Sequence, residues 1–201
     1  AGVRVNEWSA LSYGPVWAAT NIYTSCGSLP LNIIRRDDKT PLKITESSVV
    51  RCLRWKANSE MESGDFLRLM WQWQVNWGNA DAEIVRNDYT GEIQELIPLE
   101  PWRTTLRRNE KTGELQWIYT EASGEPRVLT QDRVFHVPNV LTHDGLVGIG
   151  TIQNARETIG LGKATEQYGA GYFGGDGVPQ LIIKTTGTMQ PEMRRSFHEE
   201  W

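Results

Sequence analysis

The sequence predicts an α+β fold: helices, then a small antiparallel sheet or barrel, then one long helix. Three observations carry that prediction. In the first third, apolar residues recur at helical spacings between capping residues. Between residues 79 and 137 they fall into short runs divided by Asn- and Gly-containing turns. Beyond a glycine-punctuated loop, a helical pattern returns at Thr151 and continues to about Phe173.

Pro15 to Cys26 fits a helix, with Pro15 in the first turn, Val16, Ala19, Ile22, Tyr23 and Cys26 on one stripe, and Gly27 placed to end it. Leu29 to Arg36 suits an extended segment closed by a polar turn at Asp37 to Lys39. A short helix follows around Ser48 to Lys56, with Val49, Val50, Leu53 and Cys52 inward. The next has Ser63 as cap, Asp65 near the positive end and Gly78 as stop. Phe66, Leu69, Met70, Trp73 and Trp77 recur on it at spacings of three and four, which predicts a core face. Strands are expected at Asp81–Arg86, Glu92–Leu99, Trp102–Arg108, Glu114–Thr120 and Arg127–Val137. Their turns are Asn87–Gly91, Asn109–Gly113 and Ala122–Pro126. Leu115, Trp117 and Tyr119 alternate with Gln116 and Ile118, as on a half-exposed strand. A strand at Gln180–Lys184 and a last helix from about Gln190 complete the expectation. Met189, Met193, Phe197 and Trp201 keep that helix's stripe to the final residue, so the chain is expected to be part of a longer protein.

Composition excludes several classes. The 201 residues are 39% hydrophobic and 23% charged, which is too apolar and too balanced for a disordered chain. No run approaches the roughly 18 apolar residues of a membrane helix. The opening AGVRVNEWSA lacks a basic end and a long apolar stretch, so no signal peptide is expected. A net charge of −4 argues against a free-standing DNA clamp. Cys26 and Cys52, with no Asn-x-Ser/Thr sequon, suggest a reducing compartment and two small buried residues.

Most motifs that could carry chemistry fail on context. Gly169-Ala-Gly-Tyr-Phe-Gly174 has the letters of a dinucleotide fingerprint, but it closes a helix and follows no strand. Gly162-Lys163-Ala164 lacks the hydroxyl that a phosphate loop sets on magnesium, and Glu157 stands where its first glycine belongs. His136, His143 and Asp144 match no common metal spacing. His198-Glu199-Glu200 lacks a second histidine four residues on. No catalytic residue, cofactor site or metal site is therefore expected, and the protein is not expected to be an enzyme. Arg35-Arg36, Arg107-Arg108 and Arg194-Arg195 are solvated charges, or contacts to an acidic partner or nucleic acid. Ala155, Gly162 and Gly169 are seven apart on one helix face. Each interior glycine costs up to about 1 kcal/mol against alanine, so such a face implies a close backbone neighbour. That neighbour is either within the chain or on another copy.

In chain order, further stretches carry a family likeness. Cys26-Gly-Ser-Leu-Pro-Leu-Asn-Ile-Ile-Arg-Arg36, Trp77-Gly-Asn-Ala-Asp-Ala-Glu-Ile84 and Leu96-Ile-Pro-Leu-Glu-Pro101 are followed by Asp132-Arg-Val-Phe-His136 and Asp144-Gly-Leu-Val-Gly148. Tyr168-Gly-Ala-Gly-Tyr-Phe173 and Gly177-Val-Pro179 complete the series. Their succession, over about Val16 to Trp201, resembles the portal proteins of tailed phages, specifically the Hong Kong 97-type portal family. The sequence departs from that pattern at Asp81, where an aromatic is usual, at Gly150-Thr151, where Ser-Pro is common, and at Gly175-Asp176, which replaces Asn-Gly.

The resemblance implies a subunit of a ring, twelve-membered in the full-length protein, at one vertex of the capsid in the virion. Such a ring forms in the bacterial host cytoplasm during assembly. It nucleates the head, docks the terminase large subunit, meets capsid and head-completion proteins, and passes double-stranded DNA without reading its sequence. No membrane partner is implied. Residues 1–147 would form the wing, 148–175 a stem helix and 176–201 the beginning of an α/β clip. Ala155, Gly162 and Gly169 would pack stem against stem, and Arg194 and Arg195 would be candidates to face the motor. The chain would be the N-terminal portion of such a subunit. The alternative is a non-enzymatic structural or adaptor protein that binds partners through its sheet and Trp-rich helix. A Trp-rich carbohydrate-binding module would require exposed, coplanar tryptophans.

Overall fold

The computed structural model describes residues 3–36, 41–140, 142–174, 190–192 and 195–196. The expected turn at Asp37–Lys39, strand at Gln180–Lys184 and stripe Met189, Met193, Phe197 and Trp201 lie outside them. Backbone contacts divide the chain into two compact units, Ala1–Lys163 and Ala164–Trp201. The fold is α+β, as the periodicities predict.

Helix α1 (Glu7–Leu11) is nucleated by a capping box in which Asn6 Oδ1 accepts the Ser9 N–H and Ser9 Oγ accepts that of Asn6. Helix α2 (Gly14–Thr24) begins with Pro15 in its first turn and ends in a 3₁₀ turn, Ser25–Ser28. None of its residues is fully buried, and Ile22 is 74% exposed. Of the expected apolar stripe only Val16 and Tyr23 face the packing side, while Ala19, Ile22 and Cys26 are exposed. The face that packs is Val16, Thr20 and Tyr23. Thr20 Oγ1 donates to Asn76 Oδ1 at 3.2 Å and the Tyr23 hydroxyl to Gln74 Oε1 at 3.0 Å, while Val16 packs on the Val5–Ile159 cluster. Gly27 extends the approach, since a Cβ there would lie 2.7 Å from the Arg68 backbone nitrogen.

Strands β1 (Ile33–Arg36) and β2 (Pro41–Ile44) pair as an antiparallel hairpin. Helix α3 (Ser48–Arg54) is capped by Ser47 and buries Val50 and Cys52. Helix α4 (Ser63–Trp77) starts one residue earlier than a Ser63 cap implies. Glu62 is its cap residue, and the Ser63 hydroxyl donates to the Cys52 carbonyl at 2.9 Å. Its stop is as expected: Gly78 adopts φ 91°, and a Cβ there would also strike the Gly148 carbonyl.

The following strands are β3 (Asn79–Arg86), β4 (Ile93–Leu99), β5 (Thr104–Arg108), β6 (Leu115–Thr120), β7 (Pro126–Thr130) and β8 (Val134–Pro138). They form two antiparallel three-stranded sheets, β4-β3-β8 and β5-β6-β7. The single strand expected over Arg127–Val137 is split by a 3₁₀ turn at Gln131–Arg133, and its halves join different sheets. Side-chain parity explains the break. Leu129 and Val134 are five apart and would face opposite ways on one strand, yet both enter one cluster with Leu99 and Trp117. The corner lets both point inward.

Strand β3 is covered on both faces. Ala80 and Ala82 leave room for Phe66, Met70 and Trp73 of α4, which completes the largest core cluster. Asp81 and Glu83 alternate with those alanines and point towards the second sheet. Next come α5 (Thr151–Asn154) and α6 (Arg156–Gly174), and of the last helix expected from about Gln190 the described residues 191–192 and 195–196 are helical. The helix expected to run unbroken from Thr151 is interrupted at Ala155, whose φ −98°, ψ 13° ends α5.

Candidate functional site

The residues expected to pack stem against stem have different surroundings. Ala155 is half-buried on the cluster of Val5, Ala10, Ile152 and Ile159. Gly162 faces Tyr13 of its own chain, whose ring a Cβ would strike. Gly169 has open space where its Cβ would stand. Around Gly162, Lys163 Nζ donates to the Ser9 carbonyl, and Arg156 pairs with Glu7 at 3.5 Å, so α1 lies along the first turns of α6. Arg195 is exposed, and Arg194 lies outside the described residues.

The polar centre of the molecule is the carboxylate face of β3, with no counterpart among the expected site residues. Asp81 Oδ1 accepts the Trp117 Nε1–H at 2.9 Å and meets His136 Nδ1 at 2.6 Å. Glu83, two residues along, pairs with Arg127 at 2.7 Å and Arg133 at 3.4 Å. Both carboxylates therefore tie the two sheets together. Burial disfavours charge on the His136 ring, but the hydrogen bond and charge of Asp81, helped by the Leu146 carbonyl, prevail and raise its pKa above the ordinary 6.5. The Tyr119 phenol is pushed up by burial and by its hydrogen bond to Glu100. Pattern alone misses this centre because single acids in a strand resemble solvent-facing residues. The nearest clue was Asp81, the departure from the family's usual aromatic.

His136 lies in the sheet and His143 in an exposed loop. Among the described residues no group of three or more His, Cys, Asp or Glu side chains could share a metal ion. Likewise no described helix is long and apolar enough to cross a membrane.

The aromatic residues divide. Trp73 and Trp117 are buried, Trp71 and Trp77 are half-buried, and Trp8, Trp17, Trp55 and Trp102 are exposed. Trp8, Trp73, Trp77 and Trp102 form one cluster with centroids 4.8–5.9 Å apart and planes inclined by 50–82°. Inclined rings offer no flat platform for a sugar. On the other side of α4, Cys26, Leu29, Leu31, Leu67, Met70 and Trp71 line an almost wholly apolar groove of about 420 Å³.

The sequence matches the phage portal protein family over residues 15–201. The chain belongs to that family. It is 26% identical over 199 residues to the portal protein of Enterobacteria phage HK97, covering 98% of this chain and 46% of that protein. A probable portal protein of Streptomyces phage phiC31 is 34% identical over 68 residues, or 34% of this chain and 15% of the relative. The fold resembles a chain in the neck of an empty gene transfer agent (GTA) particle computed with C6 symmetry. There the TM-score is 0.67 at 16% identity, covering all of this chain and 57% of the other. It also resembles the crystal structure of a HK97-family phage portal protein from Corynebacterium diphtheriae, with a TM-score of 0.58 at 13% identity over 99% of this chain and 61% of the other. This portal-family chain thus spans less than two thirds of each of these proteins.

Proposed function

We propose that this chain is part of a subunit of a ring-shaped portal, standing at a capsid vertex of a virion and conducting double-stranded DNA during packaging and ejection. Family membership across residues 15–201 is the observation that carries the reading. The wing would comprise residues 1–147, the stem 148–175 and the clip would begin at 176. A ring subunit buries surface against two neighbours, each contact joining unlike patches. Ile22, Leu29, Leu31 and the groove beside α4 are apolar surface that such contacts would cover. The open face at Gly169 is where neighbouring stems would approach, and Arg194 and Arg195 are candidates to face the terminase.

The acidity of the chain suits a conduit. Each phosphate paired with Lys or Arg tightens binding, and a chain of net charge −4 grips little. The protein acts by assembly rather than catalysis. The test is electron microscopy of the full-length protein: a closed ring, twelve-fold by this reading, with a hole wide enough for a duplex, roughly 2–4 nm. A full-length protein that remains monomeric at high concentration and forms no ring would refute the proposal in favour of an adaptor.

A further inference from the structure

Both ring nitrogens of His136 face oxygen acceptors. Nδ1 lies 2.6 Å from Asp81 Oδ1, and Nε2 lies 2.9 Å from the Leu146 carbonyl oxygen. A neutral imidazole has one N–H and one lone pair, so it satisfies one contact and sets a lone pair against oxygen at the other. The imidazolium donates at both. Asp81 Oδ1 accepts a second hydrogen bond, from Trp117 Nε1–H. The two side chains are only 17% and 5% exposed, so water cannot readily replace either partner.

We infer that His136 is held as an imidazolium and acts as a protonation-dependent latch, fastening the turn at residues 142–147 to the sheet and releasing it when the ring loses its proton. Deprotonation forces a choice between two contacts. The remaining N–H stays on Asp81, because a buried carboxylate left without its partner is the costlier loss. The Leu146 carbonyl then faces a lone pair and moves away.

Inside the turn, backbone N–H groups are held only by side-chain oxygens, so it opens more readily once the ring lets go. Thr142 Oγ1 accepts the Asp144 and Gly145 N–H groups, and Asp144 Oδ1 accepts those of Leu146 and Val147. Residues past the turn stay anchored independently of the ring. Asn79 Oδ1 and Nδ2 hold the N–H and carbonyl of Gly148, and Asn139 Nδ2 holds the Ile149 carbonyl. Release of the latch therefore loosens the turn and leaves the lead into α5 in place.

The groups around the ring define its titration. From β3 comes the Asp81 charge, while Glu83 on the same face is taken up by Arg127 and Arg133. Trp117 from β6 brings an uncharged ring edge, 5.4 Å between centroids. The turn brings the Leu146 carbonyl, with Asp144 engaged by backbone N–H groups and His143 exposed.

The test uses the whole chain labelled with ¹⁵N at histidine. Ring-nitrogen shifts are followed from about pH 5.5 to about 9, with His143 as the exposed reference. Amide exchange of residues 144–147 is measured alongside, corrected for its intrinsic pH dependence. The expected result is two protonated nitrogens on His136 at neutral pH, and about tenfold faster exchange of the turn once the ring titrates, the worth of one hydrogen bond. Asp81→Asn keeps an acceptor for Trp117 and should lower the His136 pKa, bringing the release to lower pH. His136→Gln should abolish the pH dependence of turn exchange. A single protonated nitrogen at neutral pH, or unchanged pH-dependent exchange in His136→Gln, would overturn the latch. If Asp81→Asn does not fold, the titration of the native protein decides alone.

Discussion

Two side chains on one face of β3, Asp81 and Glu83, hold the sheets together. Asp81 is satisfied by Trp117 and His136. Trp117→Phe preserves most of the ring but leaves the carboxylate one donor short, and should lower the unfolding free energy by about 1–3 kcal/mol in urea titrations. The pH dependence follows from two groups of opposite sign. His136 has its pKa raised in the fold, so its contribution is complete below about pH 6.5 and is lost as pH rises through the folded value. Asp144 has its pKa lowered by the Val147 and Leu146 N–H groups, so its contribution is present above the usual carboxylate range and lost as pH falls through the folded value. Protection of the 142–147 turn should therefore peak in mildly acidic solution, and a pH series of hydrogen exchange checks this.

At the scale of elements, the corner at Gln131–Arg133 and the interrupted final helix distinguish this fold from its periodicities. The corner exists to bury Leu129, which is 2% exposed and packs with Trp117 and Val134. Leu129→Ala should cost about 2–5 kcal/mol, seen as a lower denaturation midpoint with an unchanged slope. On α6, a leucine at Gly162 would strike Tyr13 of the same chain, so that substitution mixes folding with assembly. At Gly169 an added Cβ has no heavy atom within 4 Å among the described residues, so Gly169→Leu is the cleaner probe. It should leave the melting temperature of the chain within a few degrees while weakening ring formation of the full-length protein, as read by native mass. Unaltered rings would remove Gly169 from the subunit interface. The packing face of α2 is rotated from its apolar stripe towards Thr20, keeping Val16 and Tyr23 but leaving Ala19 and Ile22 outside. Its contact with α4 is made through Thr20 and Tyr23, and hydropathy ranks such polar residues as outward-facing.

At the scale of the whole molecule, the proposed conduit predicts weak DNA affinity that falls steeply with salt, measurable by filter binding at several ionic strengths; tight sequence-specific binding at physiological salt would contradict it. The sequence by itself determined the α+β class, the hairpin turns, the α4 core face from Phe66 to Trp73 and the glycine stop at Gly78. These depend on local periodicity and on backbone angles that few residues adopt, so they are written within a few positions of each other. The ordered motifs from Cys26 to Pro179 likewise sufficed for the family. Only the tertiary structure decided which sheet β7 and β8 join, which face of α2 packs, and that Asp81, Glu83, Trp117, Arg127 and His136 meet in one buried polar centre. Those residues lie up to 55 positions apart. Nothing local distinguishes a carboxylate that will face a second sheet from one that will face water, because the difference arises only when the two sheets close over it.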